Sequence, residues 1–240
     1  MCTVTTIPRA RGIRLACNRD ESRARPTALP PRLVALGERR ALLPIDPQSG
    51  GTWIAANDAG LIFTLLNVNP RPREGTPRQS RGTIIPALAV AASLAEAGDR
   101  LAALTLTDFA PFRLVMGDRS SCEERRFDGE RCERNTLDAR KKPLMFTSSG
   151  LGDELVDGPR RALFAGFFAD AVDLVERQDA FHRHAWPELQ HLSVCMSRPE
   201  ARTVSLTVVD LLAEEVRLTY YPEAPDQAPT PIALSLELGD

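Results

Sequence analysis

Six residues, Leu61-Ile62-Phe63-Thr64-Leu65-Leu66, constrain the fold of this chain more than any other stretch. The run is the length of a strand and nearly all apolar, so it predicts a strand buried on both faces. An internal sheet sandwiched between helices provides that environment. Thr52 to Ala56 has strand character too, and Asn57-Asp58-Ala59-Gly60 supplies turn residues for a hairpin joining the two.

The chain start carries the second constraint. Cys2, Val4 and Thr6 alternate with Thr3, Thr5 and Ile7, as on a half-buried strand. Pro8 to Gly12 reads as a turn and Ile13 to Cys17 as the returning strand. Such a hairpin brings Asn18, Arg19 and Asp20 beside the chain start. If Met1 is removed, Cys2 carries a thiol and a free α-amine, whose ordinary pKa of about 7.7–8.0 suits it to act as a base. The thiol must ionise to attack a carbonyl, and a nearby cation such as Arg19 favours that.

The rest of the chain completes an α+β pattern. Ser22 to Pro31 is expected to be a loop, because Pro26, Pro30 and Pro31 cannot continue a ladder. Short edge strands are expected at Leu33–Leu36 and Ala41–Pro44, and a turn at Asp46–Gly51. Arg71 to Arg81 is a basic loop with four arginines, either solvated or lining a mouth for an anion. Thr83 is placed to cap a helix from Ile84 to Ala97, stopped by Gly98, whose N-terminus would favour an anion near Arg81. Strands are expected at Phe112–Asp118, Glu124–Phe127, Arg131–Asn135 and Leu144–Thr147. Leu163, Phe164, Phe167, Phe168, Ala171, Val172 and Val175 recur at helical spacing within a helix from Gly158 to Arg177, as core packing. An irregular helical stretch, Phe181–Leu192, precedes closing strands at Val194–Met196, Val204–Val209 and Glu215–Tyr220. The proline-rich tail, 222–231, is expected to be flexible. Two mostly antiparallel sheets stacked between helix layers, in one domain over 1–240, satisfy this order.

Composition narrows the function classes. At 240 residues and a net charge of −2, the chain lacks the basic surplus of a general nucleic-acid binder. No window approaches the roughly 18 apolar residues of a membrane span. Arg9, Arg11 and Arg14 break any signal-peptide pattern. Five cysteines without CxxC spacing read as reduced thiols of a cytoplasmic protein, not as a disulfide frame or zinc site. His182, His184 and His191 lack the four-residue spacing of a helical metal pair, and no CxxCH attaches haem, so no metal or cofactor is expected.

Met1-Cys2-Thr3, Asn18-Arg19-Asp20-Glu21, Arg25-Pro26-Thr27, Gly50 to Asn57, Gly60 to Asn67 and Ser80-Arg81-Gly82 together resemble the NRDE family, best known for the transport and Golgi organisation protein two. That family is similar in turn to the cysteine N-terminal-nucleophile hydrolases, such as bile salt hydrolase and penicillin V acylase. The resemblance implies a four-layer αββα sandwich and assigns Cys2 as nucleophile, with Asp20 orienting its amine. It places an arginine at position 17, which is Cys17 here; Arg19 lies one strand period further on and projects from the same face. Asn67 matches an oxyanion-hole asparagine, or else only ends its strand. The second such asparagine falls near Ser148 or Ser149, where this chain has no amide. Asn18, Thr52, Trp53, Arg81 and Ser149 are candidate substrate-binding residues, Trp53 being equally a core aromatic. Two functions are implied: cleavage of a small acyl-amide through a Cys2 thioester, or carriage of haem or an acyl lipid in the same pocket without cleavage.

Overall fold

The computed structural model describes residues 2–69, 77–169, 172–228 and 230–239. Its strands in chain order are β1 (Cys2–Arg9), β2 (Gly12–Ser22), β3 (Leu29–Leu36), β4 (Arg39–Ile45), β5 (Ile54–Asn57) and β6 (Ile62–Asn67). After these come β7 (Phe112–Gly117), β8 (Cys122–Phe127), β9 (Cys132–Leu137), β10 (Leu144–Thr147), β11 (Ala201–Leu211), β12 (Glu215–Tyr221) and β13 (Ile232–Glu237). The helices are α1 (Ile84–Leu88), α2 (Leu94–Ala102), α3 (Asp153–Phe168) and α4 (Leu174–Arg183). One sheet runs β10-β1-β2-β11-β12-β13 and the other β3-β4-β5-β6-β7-β8-β9, with every pairing antiparallel.

The period of two in β6 explains the layering. Ile62 and Leu66 face the first sheet and pack with Val4, Leu15 and Leu218, whereas Phe63 and Leu65 face α1 and α2 with Ile84, Ile85 and Leu88. A strand serving two cores must be apolar on both faces, as its sequence is. On the far side, α3 and α4 cover the first sheet through Met145, Phe181 and the half-buried Phe164, Phe167 and Phe168. The result is α+β in four layers, helix–sheet–sheet–helix.

Several local expectations are corrected. The predicted loop 22–31 ends early, because Pro30 and Pro31 lie within β3. This edge strand shifts register between Leu29 and Arg32, and prolines are tolerated at such a bulge. The single helix 84–97 is two helices. The Asn57 amide donates to the carbonyls of Ala89 and Ala91, ending the first; Thr83 holds the N-cap position of that helix without a side-chain cap bond, and Ser93 caps the second by accepting from Glu96 N. Gly98 lies inside α2, where a Cβ would sit 2.9 Å from the Arg125 guanidinium.

The stretch 158–177 is likewise divided, with Asp173 capping α4 and Val172 exposed; Ala171 lies outside the described residues. Val194–Met196 forms no strand, since its polar groups turn elsewhere: the Val194 carbonyl accepts from Asn18 and Met196 N donates to Thr203 Oγ1. The segment taken as a flexible tail holds a short 3-10 turn at Pro225–Gln227, with Pro225 buried, and leads into β13, a strand missed in the sequence. No helix among the described residues is long and apolar enough to cross a membrane.

Candidate active site

The β1–β2 register sets Cys2 opposite Arg19 and Val4 opposite Cys17. Cys2, Cys17 and Arg19 therefore share the face between the sheets, while Asn18 and Asp20 face the helix layer. Cys2 lines a cavity of about 170 Å³ with Arg19, Thr52, Trp53, Asn67 and Arg81, beside Arg25 and Asp46. So Cys2, Arg19 and the four residues from the second sheet and its following loop are brought together. Asn18, Asp20 and Ser149 lie outside that lining.

Arg19 is held from three sides. Its guanidinium lies 4.4 Å from the Trp53 ring centroid, and Nη2 donates to Glu21 at 3.3 Å and Asp46 at 3.2 Å. Arg25 donates twice to the same Asp46 oxygen, at 2.6 and 2.9 Å. Burial works against an ionised Asp46, but these guanidinium contacts outweigh it and leave the carboxyl below its usual range. Burial lowers the Arg81 pKa; its Nη1 donates to the Pro111 carbonyl at 2.8 Å. The 3-10 turn holding Arg81 leads into a helix of only five residues, too short to favour an anion as the sequence suggested.

The Cys2 thiol has its pKa lowered from the ordinary cysteine value. A hydrogen bond from the Cys17 thiol is the main cause, burial and the charge of Asp20 oppose it, and Arg19 adds a smaller lowering. Cys17 pays the converse, its pKa raised by that bond and by burial. The Cys2 main-chain nitrogen, the atom that becomes an α-amine once Met1 is removed, donates to Ser148 Oγ at 3.2 Å.

Behind the sheet, Asp20 accepts from Thr203 Oγ1 at 2.7 Å, and burial raises its pKa against the opposing charge of Arg160. Arg160 is the largest fully buried side chain among the described residues. It donates to Thr3 and Thr147 hydroxyls at 2.9 and 2.7 Å and to the carbonyls of Leu192 and Ser193 at 2.9 and 2.6 Å. Arg160→Ala is expected to lower stability by about 2–4 kcal/mol, read as a lower urea midpoint at unchanged slope. A change below about 0.5 kcal/mol would contradict that role. Sequence reasoning missed Arg160, although a charged residue on the Val156–Leu163–Phe164 stripe of α3 was a legible signal.

Asn18 is structural in its contacts: its amide donates to the carbonyls of His182 and Val194 at 2.9 and 3.0 Å. Ser149 is buried in the turn before α3, its N–H donating to Asp153 at 2.8 Å and its carbonyl accepting from Asn69 at 2.7 Å.

Comparison with known proteins bears on the fold. Penicillin V acylase from Agrobacterium tumefaciens superposes with a TM-score of 0.54 at 14% identity, covering 99% of this chain and 86% of that one. A Caenorhabditis elegans ortholog of N-acylethanolamine-hydrolyzing acid amidase gives 0.58 at 13% identity, over 87% and 92%. The C2A mutant of conjugated bile acid hydrolase from Clostridium perfringens gives 0.54 at 12%, over 98% and 92%. At these identities the likeness shows a shared fold, that of the N-terminal-nucleophile hydrolases. No curated protein matches the sequence. The family model described as Transport and Golgi organisation 2 matches residues 1–159 of the 240, and the chain belongs to that family.

Proposed function

We propose that this protein is a cysteine N-terminal-nucleophile hydrolase that cleaves a small, polar acyl-amide through a thioester on Cys2. The observation that carries the reading is the Cys2 thiol on the cavity wall with Arg19 and Asn67, its main-chain nitrogen held by Ser148. Structural likeness to a penicillin V acylase, an acid amidase ortholog and a conjugated bile acid hydrolase supports it.

Once Met1 is removed, the α-amine of Cys2 takes the thiol proton, directly or through a water. The thiolate attacks the amide carbonyl carbon, and the tetrahedral oxyanion accepts a hydrogen bond from the Asn67 amide. Collapse breaks the C–N bond, and the leaving amine departs with the proton held by the α-amine. Water, deprotonated by the same amine, then hydrolyses the thioester and regenerates the thiol. Asp20, on the opposite face of the sheet, orients that amine.

Intact-mass analysis is expected to show loss of Met1, and peptide mapping to place an acyl-thiol probe on Cys2. Hydrolysis by protein that retains Met1 would overturn the reading. Asn67→Ala is expected to lower kcat by about 10²–10³ with little change in KM, because the oxyanion exists only after attack. An unchanged kcat would remove Asn67 from the oxyanion hole. Carriage of haem or an acyl lipid calls for an apolar slot, whereas this cavity is walled by the guanidiniums of Arg19, Arg25 and Arg81, which suit a polar substrate better.

A further inference from the structure

We infer that the chain holds a second binding site, for a carboxylate or phosphate oxyanion, in the cavity adjoining that of Cys2. This cavity has a volume of about 310 Å³ and lies where the end of β2 and the segment after it meet β11 and β12. Its walls carry four guanidiniums, from Arg19, Arg23, Arg25 and Arg202, against one carboxylate, Glu21.

Among the described residues, two of the four have their charges answered by carboxylates and two do not. Arg19 and Arg25 pair with Glu21 and Asp46. Arg23 donates only to neutral acceptors, the Ser197 hydroxyl at 2.8 Å and the Arg198 carbonyl at 3.0 Å. Arg202 stands opposite Glu21 in the β2–β11 register, but the Glu21 carboxylate is turned toward Arg19 and Arg25. Like charges crowded at one cavity repel, and a bound oxyanion relieves that repulsion. The planar guanidinium fork matches a carboxylate or phosphate with two parallel hydrogen bonds.

The position of this cavity gives it a purpose. Arg19, Glu21 and Arg25 line both cavities, so the two adjoin at their ion-pair cluster. Small-molecule sites usually span about 300–1,000 Å³. The Cys2 cavity alone falls short of that range, and with its neighbour it enters it. A substrate with its amide at Cys2 and an acidic group several bonds away would occupy both. Oxyanion binding stands without the hydrolase reading; only its use as a specificity subsite rests on that reading.

Calorimetric titration of the full chain at low salt, with inorganic pyrophosphate and separately with glutarate, tests the site. One of the two is expected to bind saturably, and which one identifies the oxyanion. Arg23→Gln and Arg202→Gln, both at exposed positions where folding is not at stake, should each weaken binding by about tenfold or more. Arg81→Gln, which touches the Cys2 cavity alone, should change it less than about threefold. Absence of saturable binding by either probe overturns the inference. So does loss of binding in Arg81→Gln with none in Arg202→Gln, since the anion would then sit beside Cys2. Repeating the titration on Cys2→Ala separates the two ideas: unchanged affinity supports the oxyanion site even where Cys2 is never acylated.

Discussion

Cys2→Ala protein is expected to fold normally and to lose amide cleavage by about 10⁴–10⁶-fold, the scale on which removal of a covalent nucleophile acts. The fold should survive because alanine keeps the β1 ladder to β2 and β10 and removes one atom at a cavity wall. Chemistry should not survive, since no other described thiol lines that cavity. Cys17→Ala is the informative partner variant. It leaves the nucleophile in place but removes the thiol that donates to it, so Cys2 should ionise at higher pH. Labelling by an acyl-thiol probe, followed against pH, should therefore shift its midpoint upward in Cys17→Ala and vanish in Cys2→Ala. Residual turnover within tenfold of wild type in Cys2→Ala would remove Cys2 from the mechanism.

Acid should unfold the protein through His182. This ring is fully buried, and burial, with the charge of Arg14, lowers its pKa from 6.5 to about 3. Its contacts explain why it stays neutral. The Asn18 amide nitrogen donates to two carbonyls, so Asn18 Oδ1, at 3.0 Å, accepts from His182 Nδ1. Nε2 is left to accept from the Thr5 hydroxyl at 2.7 Å, whose oxygen in turn accepts from Gln178. A proton on Nε2 would break that chain and bury a charge. Because the folded pKa is depressed, the unfolded chain binds the proton first, and stability falls as pH drops from about 6.5 toward about 3. Over that window the loss amounts to about 4–5 kcal/mol. Denaturant midpoints measured from pH 7 to pH 4 should decline, and His182→Gln should flatten the decline. Parallel curves for the two proteins would show that His182 does not control it.

Much of the architecture was legible because strand periodicity is a local property. The hairpin from Cys2 to Cys17, the doubly buried run at Leu61–Leu66 and the strand Leu144–Thr147 each declare themselves within a few residues. Helix boundaries were less legible, since distant side chains set them: Asn57 ends α1 from another strand, and Arg125 crosses α2 at Gly98. The nearness of Cys2 to the Asn18–Asp20 end of the second strand follows from the hairpin, whereas the register that sets Cys2 opposite Arg19 came from the structure. The supports of this pair were not legible, because Ser148 and Asp46 reach Cys2 and Arg19 across 146 and 27 residues of chain.

By itself, then, the sequence determined which segments extend, which faces are apolar, and that a thiol opens the first strand beside an arginine. Tertiary structure alone decided that sulfur and guanidinium face a cavity while the neighbouring carboxylate faces the helices. It also decided that a second, cation-rich hollow adjoins the first. The physical reason is range: alternation along a strand is written in adjacent residues, whereas a cavity and the charges around it exist only where remote segments meet.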